Sequence, residues 1–129
     1  MPAASKLSVV VIDDQQTIRS LVRAGLNQIA INDIREFANA QDALIYIKVH
    51  GPNVVISDYN MPGMDGLGLL EGIRAIDKLK TTAFILLTGR AEKELVQRAV
   101  QLGANNYLVK PFTIATLKQK IEQVVGALT

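Results

Sequence analysis

"LSVVVIDD", Leu7 to Asp14, carries an apolar, β-branched run straight into two carboxylates. A strand with one wet face alternates apolar and polar residues. This run does not alternate, so it reads as a strand covered on both faces, as in a parallel sheet. "VVIS" (Val54–Ser57), "AFILLT" (Ala83–Thr88) and "NYLV" (Asn106–Val109) are runs of the same kind, and "DIREF" (Asp33–Phe37) alternates weakly. The segments between them have helical spacing. After the first run come Ile18, Leu21, Val22 and Ile29, with Asp14 placed to cap the helix start. After the second, Asn39 caps a pattern through Ala43, Leu44 and Ile47 that "HGP" (His50–Pro52) ends. Leu67, Leu70 and Ile73 mark a third helix, and Leu95, Ala99 and Leu102 a fourth. The fifth has the cleanest stripe, through Ile114, Leu117, Ile121, Val124, Val125 and Leu128. Strands alternating with helices predict an α/β doubly wound parallel sheet with helices on both faces.

At 129 residues the chain suits one domain. No linker, low-complexity tract or change of composition divides it, so a single domain over 1–129 without an output domain is expected. Its 49% hydrophobic and 20% charged residues are those of a soluble globular protein, and no apolar run approaches the roughly 20 residues of a membrane helix. "MPAASKLS" does not resemble a signal peptide, so a cytoplasmic protein is expected. The absence of cysteine excludes disulfides, thiol nucleophiles and thiolate metal sites. A net charge of +2, spread without an aromatic-interleaved basic cluster, makes no case for nucleic acid or a membrane surface.

Parallel doubly wound sheets bind ligands outside the carboxyl ends of their strands. Those ends deliver Asp13 and Asp14 from the first strand, Asp58 from the third, Thr88 from the fourth and Lys110 from the fifth. Each alone has an ordinary reading as a solvated strand end or a cap. Together they are harder to dismiss, because the first and third strands are expected to be neighbours. Carboxylates about 4 Å apart repel by roughly 4 kcal/mol at an effective dielectric near 20. Lys110 is one candidate to compensate them and a divalent metal the other. Oxygen-only ligands point to a hard ion, and Mg²⁺ suits Asp13, Asp14 and Asp58. Such an ion beside a lysine and a hydroxyl stabilises a phosphoryl group in transfer. Asp58 follows a buried run and precedes a glycine-rich loop, which makes it the best placed nucleophile.

"VVVIDD", "ISDYNMPGMDGLGLL", "ILLTG" and "YLVKPFTIATL", in this order and spacing, resemble the receiver domain of bacterial two-component response regulators, and within it the CheY-like single-domain chemotaxis regulators. The resemblance covers essentially the whole chain. It implies a flavodoxin-like sheet in the order 2-1-3-4-5 and phosphorylation of Asp58 by a histidine kinase. It further implies Mg²⁺ held by Asp13, Asp14, Asp58 and the backbone carbonyl of Asn60, with Lys110 pairing with the phosphoryl group. Thr88 is then the switch hydroxyl and Tyr107 the aromatic that repacks with it. The output surface is the face of the fourth helix, fifth strand and fifth helix. A flagellar motor switch protein, or another downstream target, is the partner there, and the chain is expected to be monomeric. The same chemistry serves a motor regulator, a phosphate sink or a phosphorelay intermediate. Such a domain is a switch rather than an enzyme, although it promotes its own phosphorylation and dephosphorylation. Residues Asn60 and Arg90 fall where the family tunes phosphoryl lifetime. Arg90 departs from the acid often found there, and a guanidinium at that point either holds phosphoryl oxygens or blocks a phosphatase. Gly89 is expected to leave room for the phosphoryl group. Lys110 precedes Pro111, and a cis bond between them would aim the ammonium at the site.

Rival chemistries lack their parts. A haloacid dehalogenase-type phosphatase needs a second aspartate where Gln15 stands, and flavin binding needs a phosphate-cradling loop where two acids stand. "GLGLLEG" (Gly66–Gly72) is one residue too long for the dinucleotide fingerprint. A receiver fold working as an interaction module without phosphorylation is the remaining alternative, and the complete set of polar strand ends argues against it. His50 reads as a helix-end residue, Met61 and Met64 as loop packing, and Lys118 and Lys120 as the solvated face of the last helix.

Overall fold

Five runs become five parallel strands, β1 (Ser8–Ile12), β2 (Asp33–Phe37), β3 (Val54–Asp58), β4 (Ala83–Thr88) and β5 (Asn106–Val109), in the spatial order β2-β1-β3-β4-β5. The computed structural model describes residues 3–90 and 92–126. Between and after the strands lie α1 (Gln16–Gln28), α2 (Ala40–His50), α3 (Gly66–Arg74), α4 (Lys93–Gln101) and α5 (Ile114–Val125). Two short 3₁₀ turns, Ala4–Lys6 and Asp77–Leu79, left no periodic trace in the sequence. Leu128, the last member of the expected stripe on α5, lies outside the described residues.

Because successive strand residues point to opposite faces, each central run feeds two cores. Val9, Val11, Ile56, Ile85 and Leu87 pack with Val22 and Leu26 of α1 and Leu117 and Ile121 of α5. Val10, Ile12, Val55, Phe84 and Leu86 pack with Ala43 and Ile47 of α2, Leu70 and Ile73 of α3, and Ala99 of α4. The unalternating runs are therefore apolar for the reason the sequence suggested. In β3 and β4 every residue is buried.

Helix starts show where local chemistry departs from expectation. Asn39 does cap α2, accepting from the Asp42 N–H at 2.8 Å, and Gly51 ends that helix in the left-handed region. Asp14 does not cap α1. The residue at the cap position is Gln15, without a side-chain bond, because Asp13 turns its own carboxylate back to accept the Gln15 N–H at 2.9 Å and leaves Asp14 exposed. Asp65 caps α3 and Thr113 caps α5. Leu21, expected on the apolar face of α1, is 54% exposed, while its neighbour Val22 is fully buried. His50 sits at the end of α2, as expected, and stacks on Tyr46 with ring centroids 3.9 Å apart. Met61 is buried and Met64 packs at the edge of the same core. Lys118 is exposed, but Lys120 is not simply solvated: its ammonium lies 4.6 Å above the Tyr107 ring.

Candidate functional site

Strand register assembles the site. Ile12 of β1 lies level with Ser57 of β3, so Asp13, one step on, arrives beside Asp58, the last residue of β3. Thr88 at the end of β4 lies level with Val109 of β5, which puts Lys110 one step beyond. The chain leaves β1 toward β2 on one side and reaches β3 on the other, so the crevice opens at the point where strand order reverses.

The carboxylates of Asp13, Asp14 and Asp58 come together, with one oxygen of each within 4.8 Å of the others. Lys110 Nζ donates to Asp13 Oδ2 at 3.0 Å and lies 3.1 Å from Asp58 Oδ1. Asp13 is fully buried and Asp58 nearly so, whereas Asp14 is exposed at the rim. Burial pushes the Asp58 carboxyl above the usual carboxylate range. The Lys110 hydrogen bond opposes that shift, and the charges of Asp13 and Asp14 add to it. For Lys110 burial acts downward, but hydrogen bonds to Asp13 and Asp58 outweigh it and hold the ammonium above its ordinary value. Among the described residues three carboxylates face one ammonium, and the excess negative charge, the all-oxygen donor set and the exposed approach past Asp14 suit a hard dication.

Asp13 is held on every side. Its N–H donates to the Phe37 carbonyl at the end of β2, and its carbonyl accepts from Arg19 Nη1 at 2.7 Å. Arg19 in turn pairs with Glu36, which also pairs with Arg23. Nothing in the sequence marked Arg19, because its contact depends on how α1 lies across β1 and β2. The loop after Asp58 is equally constrained. Gly66 N–H donates to the Tyr59 carbonyl at 2.9 Å, and a Cβ on Gly66 would collide with the backbone carbonyl of Asp58.

Thr88, Arg90 and Tyr107 have partners other than the carboxylates. The Thr88 hydroxyl is buried and closed onto Arg90, donating to its carbonyl at 3.0 Å and accepting from its N–H at 3.2 Å. Arg90 itself is exposed, its guanidinium 3.7 Å from Glu92. Thr88, Gly89, Arg90, Tyr59, Asn60 and Leu95 line a cleft of about 300 Å³. A Cβ on Gly89 would meet nothing among the described residues within 4 Å. Tyr107 is half-buried against the core that includes Ala99, beneath Lys120. The Lys110–Pro111 bond is cis.

Residues 9–122 match the family described as the response regulator receiver domain. The chain is 44% identical over 128 residues, 99% of either chain, to a probable chemotaxis protein CheY of Rhizobium etli. It is 37% identical to chemotaxis protein CheY-3 of Vibrio cholerae, over 95% of this chain and 94% of that one. Among solved structures it resembles chemotaxis protein CheY4 of Vibrio cholerae, with a TM-score of 0.86 and 31% identity over 96% of this chain and 99% of the other.

Proposed function

Because the chain belongs to the response regulator receiver domain family, we propose that it is a phosphorylation-activated switch of chemotaxis signalling, with Asp58 as its phosphoacceptor. The observation that carries this reading is the position of Lys110 Nζ, about equally close to Asp13 and Asp58. One cation between two buried carboxylates keeps an acid ionised where burial disfavours it, and an ionised acid is a nucleophile.

In this account Asp58 attacks the phosphorus of a kinase phosphohistidine. An Asp58 oxygen–phosphorus bond forms as the histidine nitrogen–phosphorus bond breaks. Asp13, Asp14, Asp58 and the Asn60 carbonyl would hold Mg²⁺, which would supply positive charge beside the incoming phosphoryl group. Lys110 pairs with the new phosphoryl group. That group brings strong acceptors beside Thr88, whose hydroxyl then exchanges its Arg90 partners for a phosphoryl oxygen. The loop through Gly89 and Arg90 is drawn inward, and Tyr107 repacks on the α4–β5–α5 face. A downstream target such as the flagellar motor switch protein reads that face.

The protein is a switch rather than a turnover enzyme, and it acts in the cytoplasm. No helix among the described residues is long and apolar enough to cross a membrane, which is compatible with that setting. Phosphotransfer from a purified chemotaxis histidine kinase, with and without Mg²⁺, tests the proposal. Wild type is expected to be labelled only with Mg²⁺ and Asp58→Asn not at all. Pull-down of motor switch protein by the phosphorylated form then separates a motor regulator from a phosphate sink or relay member. Capture in the phosphorylated state alone is the expected result.

A further inference from the structure

Among the described residues four hydrogen bonds hold Asp13, with partners on β2, at the start of α1, within α1 and just past β5. Its N–H is held by Phe37 of β2, its Oδ1 by the Gln15 N–H, its Oδ2 by Lys110 and its carbonyl by Arg19 of α1. Three of these can be read as part of the acidic pocket or of the chain beside it. Arg19 is different, because it donates to the backbone carbonyl of a fully buried aspartate rather than to its carboxylate. Its Nε is at the same time 3.3 Å from Glu36 Oε1, so the planar guanidinium is pinned between the β1–α1 loop and β2. The side chain is 16% exposed, and Glu36 is shared with Arg23, which donates to the Ile34 carbonyl and, among the described residues, makes no hydrogen bond or ion pair with the loop.

We propose that Arg19 is a positioning residue for the acidic pocket: through the Asp13 carbonyl, and braced by Glu36, it sets the direction in which Asp13 and Asp14 present their carboxylates to a divalent cation. This rests on the reading of that pocket as the Mg²⁺ and phosphoryl site. Without Arg19 the buried Asp13 carbonyl loses its charged donor, and the loop can turn to find another. Metal sites are sensitive to partners one shell beyond the ligands, since these fix ligand orientation.

The pair Arg19 and Arg23 gives the test its control, because both hold Glu36 and, of the two, only Arg19 hydrogen-bonds the loop. Chelator-treated, ¹⁵N-labelled full-length protein is titrated with MgCl₂ while the backbone amides of Asp13, Asp14 and Asp58 are followed, and thermal midpoints are recorded alongside. Arg19→Ala is expected to weaken Mg²⁺ binding about tenfold, and Arg19→Lys, which can reach one of the two partners, to recover part of that loss. Arg23→Ala is expected to melt lower yet bind Mg²⁺ within roughly twofold of wild type, because no ligand is moved. Should Arg19→Ala fail to fold, the comparison of Arg19→Lys with Arg23→Ala decides, the lysine variant binding more weakly. Unchanged affinity in the Arg19 variants, or equal weakening in the Arg19 and Arg23 variants, overturns the proposal. Absence of saturable Mg²⁺ binding by wild type overturns the reading of the pocket itself and the proposal with it.

Discussion

Lys110 holds its ammonium 3.1 Å from Asp58 Oδ1 while donating to Asp13 Oδ2 at 3.0 Å, so one cation from the end of β5 ties the ends of β1 and β3. Removing it leaves two buried carboxylates facing each other. Lys110→Met is therefore expected to lose about 2 kcal/mol of stability at neutral pH without Mg²⁺, by urea denaturation, below the cost for a fully buried pair because the lysine is 19% exposed. Added Mg²⁺ should restore part of the loss. The raised value of Lys110 means its stabilisation is complete below the ordinary lysine value and fades as pH rises through the raised one.

Asp58 works in the opposite sense. Its carboxyl is held above the ordinary 3.8, chiefly by burial, so the folded state binds its proton more tightly than the unfolded chain does. That contribution is present in acid and is lost as pH rises from the ordinary value through the raised one. Asp58→Asn, which cannot ionise and leaves Lys110 its Asp13 partner, should melt above wild type at pH 7 without Mg²⁺. At this chain length each 1 kcal/mol of stability is worth roughly 4 °C of midpoint. The difference should shrink on acidification toward pH 4, which a series of thermal melts measures directly.

Thr88 is expected to separate phosphorylation from response. Among the described residues its hydroxyl bonds only the Arg90 backbone, so Thr88→Ala should cost about 1 kcal/mol of stability and leave phosphoryl uptake near the wild-type rate. Binding of the phosphorylated form to its target should fall, and Thr88→Ser should restore it. Uptake is followed by labelling and target binding by fluorescence anisotropy.

The Arg90 side chain pairs with the exposed Glu92, and such surface pairs contribute little. Arg90→Glu should leave the melting curve unchanged. It lines the cleft beside Asn60 and Thr88, however, so replacing a cation by an anion there should shorten the phosphorylated half-life by about threefold, under 1 kcal/mol of barrier. Decay of the isolated labelled protein measures this, and an unchanged half-life removes Arg90 from the lifetime mechanism.

The strands and their polar ends were legible because burial on two faces requires unalternating apolar runs, and a charged residue can follow such a run only where the sheet stops. Asp13, Asp58 and Lys110 were found this way, and their convergence follows from register. Contacts that depend on helix placement were not legible. Periodicity put both Leu21 and Val22 on the apolar face of α1, but it marks a face only to within one residue, and of the two only Val22 is buried. Asp14 had the residue type and place of a cap, yet the Asp13 carboxylate reached the Gln15 N–H first. Lys120 over Tyr107 and Arg19 on the Asp13 carbonyl join residues 13 and 6 positions apart in sequence, across packed elements whose spacing no local pattern encodes.

Phosphorylation at Asp58 itself is tested most directly by incubating the protein with acetyl phosphate and Mg²⁺ and locating the added group by peptide mass spectrometry. A single phosphoryl group on Asp58, absent after chelation and absent in Asp58→Asn, is the predicted result; a group carried by another residue, or one that survives the substitution, contradicts the account.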